Sequence, residues 1–143
     1  MIRVETPNVV VGGTVGRLPV RVVRDAVAYV LRAEQRDAAV AITFLGPRRM
    51  QRMNADYKHH DRPTDVLSFA LSMPGGSLTG DVYVCRYVAA REARSRGLRV
   101  REELIRLVVH GTLHILGYDH PENERRTESA MWRRQEQYVK ALA

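Results

Sequence analysis

The apolar positions along this chain change period from element to element, and each change predicts a boundary. Residues 2–6 (IRVET) alternate apolar and polar side chains, which predicts a short strand. Leu18, Val22, Val23, Ala26, Val27, Val30 and Leu31 then recur at helical spacing with Arg and Asp on the other face, predicting an amphipathic helix over 18–36. Residues 39–45 (AVAITFL) are β-rich and stop at Gly46-Pro47, and the proline opens a short helix carrying Met50, Met53, Asn54 and Tyr57. A polar loop, KHHDRPT at 58–64, leads to a strand over 65–71, a break at Pro74-Gly75-Gly76 and a further strand over 80–85. Helical spacing returns over 87–96, closed by Gly97 as C-cap, and over 100–116, where the run LIRLVVHGTLHIL predicts a buried helix. Residues 124–142 read as a polar terminal helix with Met131, Trp132, Tyr138 and Leu142 available for docking.

Some four strands and five helices, with no repeat, low-complexity tract or dividing linker, predict one α+β domain over 1–143: a small mixed sheet packed with helices. The balance of 45% hydrophobic and 27% charged residues is that of a folded chain and excludes a disordered one. No leader-like N-terminus and no membrane-length apolar run are visible, so a cytoplasmic protein with no membrane partner is expected. The single cysteine, Cys85, lies in the apolar run DVYVC and is expected to be a buried thiol in a reducing compartment. The formal charge is +7, and 21 of the 23 basic residues are arginine, the side chain best suited to bidentate phosphate contact. That balance fits a polyanionic partner, but a GC-rich genome that encodes arginine in place of lysine gives the same composition, so charge alone selects nothing.

Candidate chemistry concentrates in HGTLHILGYDH, residues 110–120, which holds three of the five histidines. On a helix, positions 110 and 114 project from one face at adjacent turns and can share an ion. His120 joins them only if the helix stops first. Gly117 can adopt the left-handed conformation that ends a helix and Pro121 cannot extend one, so GYDHP reads as a reversal that returns His120 over the other two. Three neutral imidazoles with a coordination position left open make a zincin-like site of the catalytic type, with zinc expected and other divalent transition metals possible. The histidine and glycine offsets coincide with those of metzincin peptidases, but Gly111 stands where those enzymes carry the glutamate that activates water. Peptidase chemistry therefore lacks its general base, whereas a metal-acidified water and a polarised phosphoryl oxygen suit phosphodiester hydrolysis.

These residues resemble the YbeY family of bacterial endoribonucleases, whose signature H-G-x-L-H-L-x-G-Y-D-H is matched by HGTLHILGYDH with Ile115 in place of a leucine. A second signature, N-x-x-Y-R-x-K-D-x-P-T-D-V-L-S-F, is similar to NADYKHHDRPTDVLSF at 54–69, and a third, G-D-I-x-I, to GDVYV at 80–84. The resemblance implies a single-strand-specific, metal-dependent RNase of 16S rRNA 3′-end maturation and ribosome quality control. It further implies zinc on His110, His114 and His120, and as partners ribosomal RNA, the ribosome or its small subunit, and a ribosomal protein or GTPase.

Lys58 stands where the family has an arginine against the scissile phosphate, keeping the charge and losing the bidentate fork, and His60 replaces the lysine that follows. Lys58 and His114 are the expected catalytic residues, with Lys58, Asp81, Arg48 and Arg52 expected to bind substrate. Asp119 either hydrogen-bonds a ligand imidazole or fixes the turn, and Tyr118 is read as packing. Seven arginines against three glutamates between 86 and 106 read either as a solvated face or as an RNA track. Two other readings stay open: a metallopeptidase-like hydrolase, and a ribosome-assembly factor whose zinc is structural.

Overall fold

The computed structural model describes residues 9–13, 18–72, 78–121 and 123–143. Strand β1 (Val9–Gly13) is followed by α1 (Val20–Glu34), β2 (Ala39–Leu45), α2 (Pro47–Lys58), β3 (Val66–Ser72), β4 (Leu78–Cys85), α3 (Arg86–Ser95), α4 (Val100–Ile115) and α5 (Ala130–Leu142). The strands form one mixed sheet in the order β1-β2-β4-β3, with β1, β2 and β4 parallel and β3 an antiparallel edge on β4. The α+β architecture with a four-stranded mixed sheet is therefore as predicted, and the bounds of β2 and the start of α2 match the sequence reading.

Alternation along the strands divides the packing. Val40, Ile42, Phe44, Val82 and Val84 point to the face covered by α1 and α4, where Leu104, Ile105, Val108, Val109 and Leu113 are at most 2% exposed. On the opposite face, Leu45, Leu67 and Cys85 pack with Met50 of α2 and Val88 of α3 into a smaller cluster edged by Phe69 and Tyr83. Cys85 is a buried free thiol, as expected. Helix α4 lies between sheet, α1, α3 and α5, which is why almost its whole surface is apolar. Its approach to β4 is close: a Cβ on Gly111 would meet Val82 Cγ1 at 2.4 Å, and one on Gly80 would meet Ile115 Cδ1 at 2.4 Å.

The structure departs from the sequence reading at three points: an unforeseen β1, the terminal helix and Arg106. The strand expected at 2–6 and the break at 74–76 fall outside the described residues, while β1 at Val9–Gly13 was not predicted. Its VVVGG sequence has no alternation to reveal it, although Val9 is buried and Val10 is 63% exposed. The terminal helix is not continuous over 124–142: a 3-10 turn spans Glu124–Glu128, and Ser129, extended at φ −74°, ψ 156°, starts α5 by accepting the Trp132 N–H on its hydroxyl. Finally, Arg106 is 7% exposed and does not belong to a solvated basic face; it is held among Glu102, Glu103 and Glu136.

Candidate metal centre

Helix α4 ends where the sequence requires it to end. Gly117 has φ +102°, the Tyr118 N–H reaches the Leu113 carbonyl at 3.1 Å and the Gly117 N–H reaches the His114 carbonyl at 3.0 Å, the two bonds of a left-handed helix stop. Arg36 adds a bond from its guanidinium to the Leu116 carbonyl at 3.3 Å. The chain then turns back, and the Asp119 carboxylate accepts the His120 N–H at 2.8 Å, so Asp119 fixes the turn through the backbone.

This reversal brings His110, His114 and His120 together. Their ring centroids are 4.7, 5.0 and 4.9 Å apart, and one nitrogen from each lies within 4.8 Å of the others. His110 Nε2 and His120 Nε2 are 3.3 Å apart, close to the separation of about 3.4 Å for two nitrogens 2.1 Å from one tetrahedral ion.

Each ring is turned by an acceptor on its other nitrogen. His110 Nδ1 donates to Gln135 Oε1 at 2.6 Å, His114 Nδ1 to the Tyr118 carbonyl at 3.0 Å, and His120 Nδ1 to the Pro121 carbonyl at 2.9 Å. Backbone carbonyls cannot donate, and the Gln135 amide donates its own N–H to Glu136 at 2.9 Å. All three imidazoles therefore present an Nε2 lone pair, and the three residues are placed to hold a metal ion. Burial is the largest influence on His110 and pushes it down to about 4; the bond to Gln135 opposes this, and positive charge on His114, His120 and Arg126 adds to it. His114 is lowered mainly by burial too, with the charges of His120 and Lys58 adding to the effect. On His110 and His114, lone pairs rather than protons thus face the site at neutral pH.

The histidines line a cleft of about 960 Å³ whose other walls include Lys58, Asp65, Ser68, Arg126 and Trp132. The sequence profile of the family described as Endoribonuclease YbeY matches residues 18–143. The chain belongs to the Endoribonuclease YbeY family. Endoribonuclease YbeY of Anaeromyxobacter dehalogenans (strain 2CP-C) is 44% identical over 97 residues, 66% of this chain and 50% of that protein. The protein of the same name from Desulfitobacterium hafniense (strain Y51) is 40% identical over 124 residues, 80% of this chain and 77% of its own. The chain thus spans about half the length of the Anaeromyxobacter relatives it matches. A solution structure from Thermotoga maritima superposes with a TM-score of 0.65 at 26% identity, over 94% of this chain and 88% of that one.

The remaining residues singled out in the YbeY motifs divide between two places. Lys58, at the end of α2, and His60 line the cleft, whereas His59 is the left-handed residue that terminates α2. Asp65 also lines the cleft, and burial raises its carboxyl above the usual range.

Asp81, by contrast, points away from the histidines. Gly80 faces α4, so the next residue in the strand must face the other side, where the Asp81 charge acts on Tyr83. Arg48 and Arg52 are exposed on α2 and are not among the cleft-lining residues. Gly111 is pressed against the sheet: a Cβ there would stand 2.4 Å from Val82 Cγ1 and 3.1 Å from Ser68 Oγ, so any side chain at that position would have to displace Val82.

Sequence reasoning missed Gln135, the carbonyls of Tyr118 and Pro121, and the cleft position of Trp132. Only Gln135 left a signal: with Met131 and Tyr138 it lies on the buried stripe of α5, a polar residue among apolar ones. Among the described residues, no helix is long and apolar enough to cross a membrane.

Proposed function

We propose that this chain is a zinc-dependent endoribonuclease that cuts single-stranded RNA during 16S rRNA 3′-end maturation, acting on or beside the small ribosomal subunit, where a ribosomal protein or GTPase brings it to its substrate. The observation that carries the reading is the trio of imidazoles whose Nε2 lone pairs converge in a cleft also lined by Lys58. Membership of the Endoribonuclease YbeY family supports an RNA substrate.

His110, His114 and His120 hold the ion, and Gln135, Tyr118 and Pro121 keep the rings aimed. When bound, zinc supplies Lewis acidity and acidifies water at neutral pH. Lys58 binds a non-bridging phosphate oxygen and offsets the charge that develops there as the phosphodiester is attacked. Position 111 supplies no proton acceptor, which removes the peptidase reading's central residue.

The test compares wild type with His114→Ala, purified identically, on single-stranded and base-paired rRNA fragments, with metal analysis and thermal melting of both. Cleavage of the single-stranded fragment is expected to fall by at least about 100-fold in the variant and on chelation. Melting of the chelated protein is expected to remain cooperative. A chelated protein that unfolds, with no cleavage by the metal-loaded form, would instead assign the histidines to a structural site.

A further inference from the structure

We propose that Arg126, seated on the indole of Trp132, forms a second phosphate-binding subsite in the histidine cleft and grips the backbone of single-stranded RNA beside the cut. The inference rests on the endoribonuclease reading and names the residue that orients its substrate. Arg126 lies in the 3-10 turn Glu124–Glu128, outside every motif that the sequence displays, yet it lines the same cleft as the three imidazoles. Its guanidinium carbon is 5.9 Å from the Trp132 ring centroid, within cation–π range. That contact covers one face of the guanidinium and leaves its planar N–H edge available. The reach of its charge extends to both His110 and Asp65.

The other basic groups of the cleft cannot do the same work. Arg106 is committed to Glu102 at 3.1 Å and to Glu136 at 2.9 and 3.0 Å, and Arg96 to Glu103 at 3.0 Å. Lys58 offers a point charge without a fork. Arg62 faces the cleft from the loop after α2, but among the described residues no ring supports it. Among the described residues Arg126 itself makes no ion pair, so a phosphate meets its fork without displacing a carboxylate. A bidentate group on the turn that follows His120 thereby supplies the orientation that Lys58, in the family's arginine position, does not.

The chain has a single tryptophan, so its fluorescence reports on this subsite alone. A short single-stranded oligoribonucleotide is titrated into wild type, Arg126→Ala, Arg126→Lys and Arg62→Ala in the presence of chelator, at several salt concentrations. Folding of each variant is checked by far-UV circular dichroism. Arg126→Ala is expected to bind about tenfold more weakly, with the log–log salt slope reduced by about 0.7 and the Trp132 response diminished. Arg126→Lys is expected to restore the slope but not the affinity, and Arg62→Ala to stay within about twofold of wild type. A folded Arg126→Ala protein within about twofold of wild type in affinity, with an unchanged slope, overturns the subsite and leaves the nuclease reading intact. Wild type that binds no RNA overturns both.

Discussion

Gln135 shows how a single side chain can decide the chemistry of a residue 25 positions away. It is 1% exposed, and its amide is anchored by Glu136, which itself receives two bonds from Arg106. A carboxylate accepts only, so the amide nitrogen must face Glu136 and the amide oxygen must face His110, which puts the imidazole proton on Nδ1. Burial, which outweighs the opposing bond to Gln135, keeps His110 neutral until the pH approaches about 4. Because that value lies below the 6.5 of a free imidazole, the neutral ring stabilises the fold above about 6.5, and the contribution is lost as pH falls from there toward 4. Proton competition for the ion belongs to the same acid window. Replacing Gln135 by Leu preserves volume and removes the acceptor, so zinc affinity at neutral pH is expected to fall about 10- to 100-fold. Gln135→Glu retains an acceptor for His110 but turns a second carboxylate oxygen toward Glu136 in place of the N–H, so it is expected to recover only part of the lost affinity. Competition against a chromophoric chelator measures both, and unchanged affinity in Gln135→Leu would detach Gln135 from the site.

The end of α4 is the element on which convergence of the histidines depends. Gly117 occupies φ +102°, a conformation that an L side chain reaches only with strain. No neighbouring atom lies within 4 Å of a built Cβ, so Gly117→Ala tests conformation without a steric clash. It is expected to cost about 1–3 kcal/mol in urea unfolding and to weaken zinc binding beyond that of a surface control, since His120 follows the same turn.

This element was legible in the sequence because everything it needs is local: two histidines one turn apart, a glycine three residues on, and a proline beyond the third histidine. The same holds for α1, β2 and the start of α2. What the sequence could not display is long-range. Nothing in VVVGG indicates a parallel partner at Val40–Phe44, and nothing in the terminal helix indicates that Gln135 meets His110. Asp81 illustrates the remaining gap: a motif fixes its position along β4, but the face it points to follows from the register of Gly80 against Ile115.

On the scale of the whole molecule, the histidine cluster is tied to the far end of α1 through Glu34. Its side chain is 9% exposed, accepts the Tyr118 hydroxyl at 2.6 Å and the Tyr138 hydroxyl, and pairs with Arg134 at 3.4 Å. One carboxylate therefore joins α1, the turn after α4 and α5. Tyr118 is more than packing: its ring is fastened by Glu34 while its carbonyl receives His114 Nδ1. The bond to Glu34 raises the Tyr118 phenol above its ordinary range, and burial together with the same carboxylate pushes Tyr138 up to about 12, so both stay protonated donors at neutral pH. Glu34→Gln is nearly isosteric, but its amide must turn an N–H toward one of two hydroxyls that now donate. It is expected to lose about 1.5–3 kcal/mol of unfolding free energy, the range for a charge-assisted bond. Glu34→Ala is expected to lose more, because it leaves two partly buried hydroxyls without their acceptor. Since Glu34 does not itself line the cleft and reaches the histidines only through Tyr118, zinc affinity is expected to weaken less in Glu34→Gln than in Gln135→Leu. Equal loss of zinc affinity in the two variants would mean that the junction, and not the acceptor on each imidazole, sets the geometry of the site.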